Sequence, residues 1–69
     1  MYPNPANDVI FFSNDADLIE IYDLSGKRLM DVEQVKSNQS TSITGLDSGY
    51  YLVKIINQNN IETKKLIIH

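Results

Sequence analysis

The 69 residues carry six Lys and Arg against nine Asp and Glu, a formal net charge of -3 that gives a phosphate backbone little to hold and excludes nucleic acid as a partner. Hydrophobic residues make up 42% of the chain and charged residues 22%, an ordinary globular balance that excludes a disordered tail, and the length leaves room for one small domain over 1–69. The chain has no cysteine, which excludes a disulfide framework and a thiolate metal site, and no apolar stretch approaches membrane-spanning length, so no membrane insertion is expected.

Met1 to Pro5 lacks the basic region and apolar run of a secretory signal. Tyr2-Pro3-Asn4-Pro5-Ala6 is a stiff leader, because each proline fixes its own φ and pushes the preceding residue toward extended conformations. Val9 to Phe12 is the first predicted strand, and Leu18 to Asp23 the second. In the second, alternation puts Ile19 and Ile21 on a core face and Glu20 and Tyr22 on the other. Asp23-Leu24-Ser25-Gly26 predicts a hairpin turn: the Asp carboxylate bonds backbone amides, and Gly26 takes a left-handed conformation. The third strand is predicted over Lys27 to Val32. Ser37 to Ser42 is polar throughout and reads as a loop running into a strand edge, with the fourth strand at Thr41 to Thr44. Asp47-Ser48-Gly49 is a second turn, after which Tyr50 to Ile56 presents Tyr51, Val53 and Ile55 on one face and Lys54 on the other. Asn57-Gln58-Asn59-Asn60 links to a final strand, Ile61 to Ile68. Leu66, Ile67 and Ile68 are all apolar, which calls either for cover on both faces or for a bulge near Lys64-Lys65. Six strands in antiparallel hairpins suffice for a small all-β sandwich.

Little in this pattern suggests chemistry. The single histidine is His69, at a chain end too loose for acid-base catalysis, and the serines have no basic partner at a recognisable spacing. Asn7-Asp8 and Asn14-Asp15-Ala16-Asp17 offer hard oxygen ligands, but the spacing matches no calcium loop and these are ordinary turn residues, so no ion and no cofactor is assigned. Tyr22 and Tyr50 would form an aromatic platform for a glycan, or for a protein, if they shared an exposed face. Lys64-Lys65 in the last strand either blunts an edge against unwanted pairing or takes part in recognition.

The order of the motifs is more informative than any one of them. Tyr2-Pro3-Asn4-Pro5-Ala6-Asn7-Asp8, then Ile21-Tyr22-Asp23-Leu24-Ser25-Gly26-Lys27, then Gly45 to Ile55 with Gly49-Tyr50-Tyr51-Leu52-Val53-Lys54 at its centre, and finally Thr63-Lys64-Lys65-Leu66-Ile67-Ile68 resemble the type A C-terminal sorting domain of type IX secretion substrates. The resemblance covers nearly the whole chain. It implies an immunoglobulin-like antiparallel β-sandwich of about six to seven short strands, at the C-terminus of a larger cargo that reaches the periplasm by its own signal and then the cell surface or the medium. It also implies as partners the type IX translocon with its outer-membrane shuttle protein, and a sortase-like surface protease that usually removes the domain. It implies no catalysis. Carried onto this sequence, the family pattern marks Pro3, Asn4, Pro5, Gly26, Lys27, Gly49, Tyr51, Lys54 and Lys65; by their turn and core positions Asp23, Gly26, Gly49, Tyr51, Val53 and Ile55 are structural signature, and Pro3, Asn4, Pro5, Lys27, Lys54, Lys64 and Lys65 are the candidates for translocon recognition.

Two other readings compete with sorting: a glycan-binding accessory module, and a self-associating module whose exposed strand edges pair between copies. The sorting reading predicts that deleting Thr63 to His69 strands a fused cargo in the periplasm, which fractionation of cells expressing the truncated fusion checks directly.

Overall fold

Alternating β-branched and aromatic residues between Asp-, Asn- and Gly-rich turns produce strands at all six predicted places. The structure, a computed structural model, describes residues 1–58 and 60–69; Asn59, within the predicted last turn, lies outside the described residues. The strands are β1 (Val9–Phe11), β2 (Ala16–Tyr22), β3 (Arg28–Val35), β4 (Ser40–Ser42), β5 (Gly49–Asn57) and β6 (Asn60–Ile68). They form two antiparallel sheets, β1-β4 and β3-β2-β5-β6, stacked as the expected sandwich.

The core lies between the sheets. Ile19, Ile21, Val53, Leu66 and Ile68 from the wide sheet meet Ile10, Phe12 and Ile43 from the narrow one and its flanks, all buried. The faces therefore follow the predicted alternation, with Tyr51 buried and Ile55 packed against the cluster. Tyr51 is buried without leaving its hydroxyl unpaired, because it donates to the Asp47 carbonyl four residues upstream, the local clasp known from immunoglobulin-type sandwiches as a tyrosine corner.

Every strand departs from its predicted bounds by one to three residues at one or both ends, β3 the most. β3 runs on to Val35, which is buried opposite Ala16, although Gln34 just before it sits in the left-handed region at φ 54°. The register of β2 against β3 shifts between Ile21 and Tyr22, so Tyr22 pairs with Arg28 and Leu29 is the extra residue of a bulge. β4 is displaced toward Ser40, and Ile43 follows it into the core while its amide donates to the Asp8 carbonyl at 2.8 Å. No bulge interrupts β6, whose register against β5 is unbroken from Asn57↔Asn60 to Gly49↔Ile68. The run Leu66-Ile67-Ile68 is explained by cover instead: Leu66 and Ile68 are buried in the core, and Ile67 is half-buried on the outer face.

The leader does not simply run into β1. The Tyr2 amide donates to the Phe11 carbonyl at 2.8 Å and the Phe11 amide returns a bond to the Tyr2 carbonyl at 2.7 Å, with the two rings stacked 5.4 Å apart. Four residues on, Ala6 is buried against the far sheet, donating to the Ile67 carbonyl at 2.8 Å and accepting from the His69 amide at 2.9 Å. Between them Asn4 grips the edge of β6 with both ends of its side-chain amide. Its Nδ2 donates to the Lys65 carbonyl at 2.8 Å, and its Oδ1 accepts from the Ile67 amide at 3.0 Å. That pairing imitates the peptide group of a neighbouring strand. Asn4→Asp replaces the donor with an oxygen facing the Lys65 carbonyl, and is expected to lower the unfolding free energy in urea by about 1 kcal/mol, while Asn4→Gln, with the same groups on a longer arm, recovers part of it.

Candidate functional site

Apart from the core residues and Lys64, the residues singled out in the sequence fall into three places. The turn after β2 is held by the Asp23 carboxylate, whose Oδ1 accepts from the Ser25 amide at 2.9 Å, the Ser25 hydroxyl at 2.7 Å and the Lys27 amide at 2.9 Å. Gly26 sits at φ 93°, the left-handed conformation predicted for it, and closes the turn by donating to the Asp23 carbonyl at 3.1 Å. Asp23 and Gly26 are thus turn residues, and Lys27 is displayed at the end of the wide sheet. The hydrogen bonds from Ser25 and Lys27 hold the Asp23 carboxyl below its ordinary value.

The second place is the outer face of the wide sheet, turned away from the core. The cross-strand pairs Glu20↔Lys54, Tyr22↔Leu52 and Leu52↔Lys65 put Lys54, Lys65, Tyr22 and Tyr50 together there. The Lys54 ammonium lies 5.2 Å from the Tyr22 ring centre, and the Lys65 ammonium 6.0 Å from that of Tyr50. Each aromatic ring that would have stacked on a sugar therefore already carries a cation on its face, and the two rings do not form a free platform.

Glu20 organises the middle of this face. The β3 bulge brings Arg28 within 3.0 Å of Glu20 Oε2, and the Tyr22 hydroxyl donates to Oε1 at 2.9 Å, so the carboxylate of a side chain only 11% exposed has a partner on each oxygen. Among the described residues no buried side-chain polar atom lacks a partner. Sequence reading placed Glu20 and Tyr22 on this face and missed Arg28, because only the register shift after Ile21 sets Arg28 beside Glu20. The signal available was compositional: one Arg in the chain, immediately after the turn that returns the chain past Glu20.

Lys64, next in sequence to Lys65, points the other way, to the inner side beyond the end of the narrow sheet. There it lines an open cleft of about 250 Å³ with Phe12, Asp15, Ile55, Asn57 and Glu62, and its ammonium lies 3.9 Å from Glu62. In the Asn14–Asp17 stretch, Asp15 accepts from the Ser37 amide at 2.7 Å, and the Asp17 backbone amide donates to the Asn57 side chain at 3.2 Å. Among the described residues no group of three His, Cys, Asp or Glu is placed to share an ion.

The third place is the leader against β6, where Asn4 binds the backbone of Lys65 and Ile67, so that Pro3, Asn4 and Pro5 border the strand that displays Lys65 on the outer face. The ordered set of motifs, the sandwich and this join of first and last segments occur in one chain, and the family described as the secretion system C-terminal sorting domain matches residues 1–69, its full length. The chain is a member of that family. The family is a sorting signal for type IX secretion and not a catalytic one, and its members mark a secreted precursor bound for the cell surface or the extracellular space. No curated protein and no solved structure matches the sorting domain.

The Arg28 hydrogen bond, with a smaller contribution from Tyr22, holds the Glu20 carboxyl below its ordinary value of 4.5. The sign follows from linkage: the unfolded chain binds a proton at Glu20 more readily than the folded one, so the contribution is complete above the ordinary value and is lost as pH falls through the lowered one. Stability of the sorting domain in urea is therefore expected to decline on the acid side of 4.5, and Glu20→Gln to flatten that decline while lowering stability at neutral pH.

Proposed function

We propose that the sorting domain accompanies a larger cargo through the periplasm to the outer-membrane translocon of the type IX system, where the shuttle protein reads the folded sandwich. A sortase-like protease at the surface then separates domain and cargo. The proposed recognition surface is the outer face of the wide sheet around Lys54 and Lys65, bordered by Pro3, Asn4 and Pro5 at one edge and by Lys27 at the end of the sheet.

The observation that supports this surface best is the pair of lysine and tyrosine contacts. A lysine needed only to keep an edge soluble has no reason to lie over a ring, whereas a fixed ammonium on an aromatic base is a pre-ordered contact for an acidic or carbonyl-rich partner. Beside these cations the same face carries half-buried Leu52, Ile56 and Ile67 and exposed Tyr50, the mixture of apolar area and fixed charge that protein interfaces use. Lys64 lies apart from this surface and contributes to recognition only if the partner also reaches the cleft.

A secreted reporter carrying the domain at its C-terminus tests the assignment. Lys54→Glu combined with Lys65→Glu is expected to reduce translocon-dependent export on the order of tenfold, the effect of losing one strong contact, with the variant domain still folded by circular dichroism. Unchanged export of that folded double variant would remove the surface from consideration, and unchanged export in a translocon mutant would remove the pathway.

A further inference from the structure

The leader protects only part of the last strand. In β6 the backbone groups of alternate residues point away from β5, and the bonds made by the Lys65 carbonyl and by both backbone groups of Ile67 show that the odd-numbered residues do so. The same period leaves Ile61 and Thr63 facing outward, and no partner for their N–H or C=O groups occurs among the described residues. Of the usual edge defences this stretch has only its charged side chains, Glu62, Lys64 and Lys65. It is unbulged and proline-free, and it ends in Ile61, which is 64% exposed. The opposite edge of the sheet, β3, is twisted by its bulge at Leu29 and by Gln34 at positive φ, and carries exposed Asp31 and Glu33.

We propose that the free stretch of β6 pairs antiparallel with the same stretch of a second copy, about a two-fold axis at Thr63, to give a transient closed dimer with a continuous eight-stranded sheet (four strands from each copy). The partner is identified by charge. Centred on Thr63, the pairing sets Glu62 of each copy opposite Lys64 of the other, as two cross-strand ion pairs in the close, non-hydrogen-bonded positions of the ladder. Thr63 meets its own copy in a hydrogen-bonded position, and Ile61 meets the stem of Lys65. Moving the axis one residue toward the turn sets Glu62 against Glu62. Moving it one residue the other way sets Ile61 against Ile67, whose backbone is already taken by Asn4 and Ala6. Of the three registers only the one centred on Thr63 opposes unlike charges and leaves the backbone of its central pair unoccupied. Asn4 on the Lys65 carbonyl also ends the ladder there, so the contact is short and weak, and an isologous pairing closes on itself instead of growing into a filament.

The pairing is independent of the sorting assignment and is tested on the isolated domain. In a hydrogen-bonded antiparallel pair facing Cα atoms are ~5.5 Å apart, within reach of a disulfide, whereas two Ile61 residues would be separated by four residues of strand, ~14 Å. In a chain without native cysteine, Thr63→Cys is expected to oxidise to a covalent dimer on the order of tenfold faster than Ile61→Cys. Amide exchange at Ile61 and Thr63 should slow as concentration rises, and Lys64→Glu should abolish that slowing. Adding Glu62→Lys to Lys64→Glu restores opposite charges and should restore the slowing. Equal oxidation rates for the two cysteine variants, exchange that does not depend on concentration, or association indifferent to Lys64→Glu would each overturn the proposal. So would protection of these amides only when a different protein is added, or growth into species larger than a dimer.

Discussion

The fold depends on a crossing. A two-stranded sheet is too narrow to cover a four-stranded one, and what completes the enclosure is the leader, bonded to β1 at Tyr2 and to β6 at Ala6 and Asn4. Ala6 is sealed in the core by this route, and Ile68, at the other end of the sequence, is sealed with it. A domain this small hides only about 60% of the surface its unfolded chain exposes. With no disulfide to compensate, the hydrogen bonds between the first and last segments are what fastens the two ends of the chain together. The two prolines beside Asn4 limit what that segment gives up on ordering, since their φ is fixed in the unfolded chain as well.

Most of the architecture was legible because it rests on short-range rules. Ile19 and Ile21 against Glu20 and Tyr22, or Tyr51 and Val53 against Lys54, sort themselves by a period of two that holds whatever the strands pair with. Asp23 and Gly26 make their turn from their own side chain and backbone. The parts that were not legible are those that depend on pairing. The shift after Ile21 that carries Arg28 to Glu20 is a property of two strands together, and neither strand alone marks it. The same holds for Asn4: its sequence neighbours describe a stiff leader, while its function as a substitute peptide group becomes visible only when β6 is beside it. The apolar run at the end of β6 was ambiguous for that reason, and the leader, which lies against its edge, settles it in favour of cover.

The site was legible to a different degree. Lys54 and Lys65 could be named but not grouped, since eleven positions separate them, and cross-strand register is what brings both to one face with the tyrosines they cover. Adjacent Lys64 and Lys65, which read as one basic motif, serve opposite sides of the sheet, as the strand period requires. Nothing in this geometry supports the glycan reading, since each ring it called on has a lysine ammonium over it. Net charge concealed how ordered this surface is: within a mildly acidic chain, Glu20 with Arg28 and Lys54 with Tyr22 form a fixed pattern across three adjacent strands.

The bond between Ala6 and His69 joins residues at opposite extremes of the chain. Within the domain β6 is the last strand to be made, so the leader has nothing to grip until every other strand of the sandwich has been synthesised. A domain cut short at any point before β6 leaves Ala6 and Asn4 without their partners, and the sandwich closes as a whole or not at all.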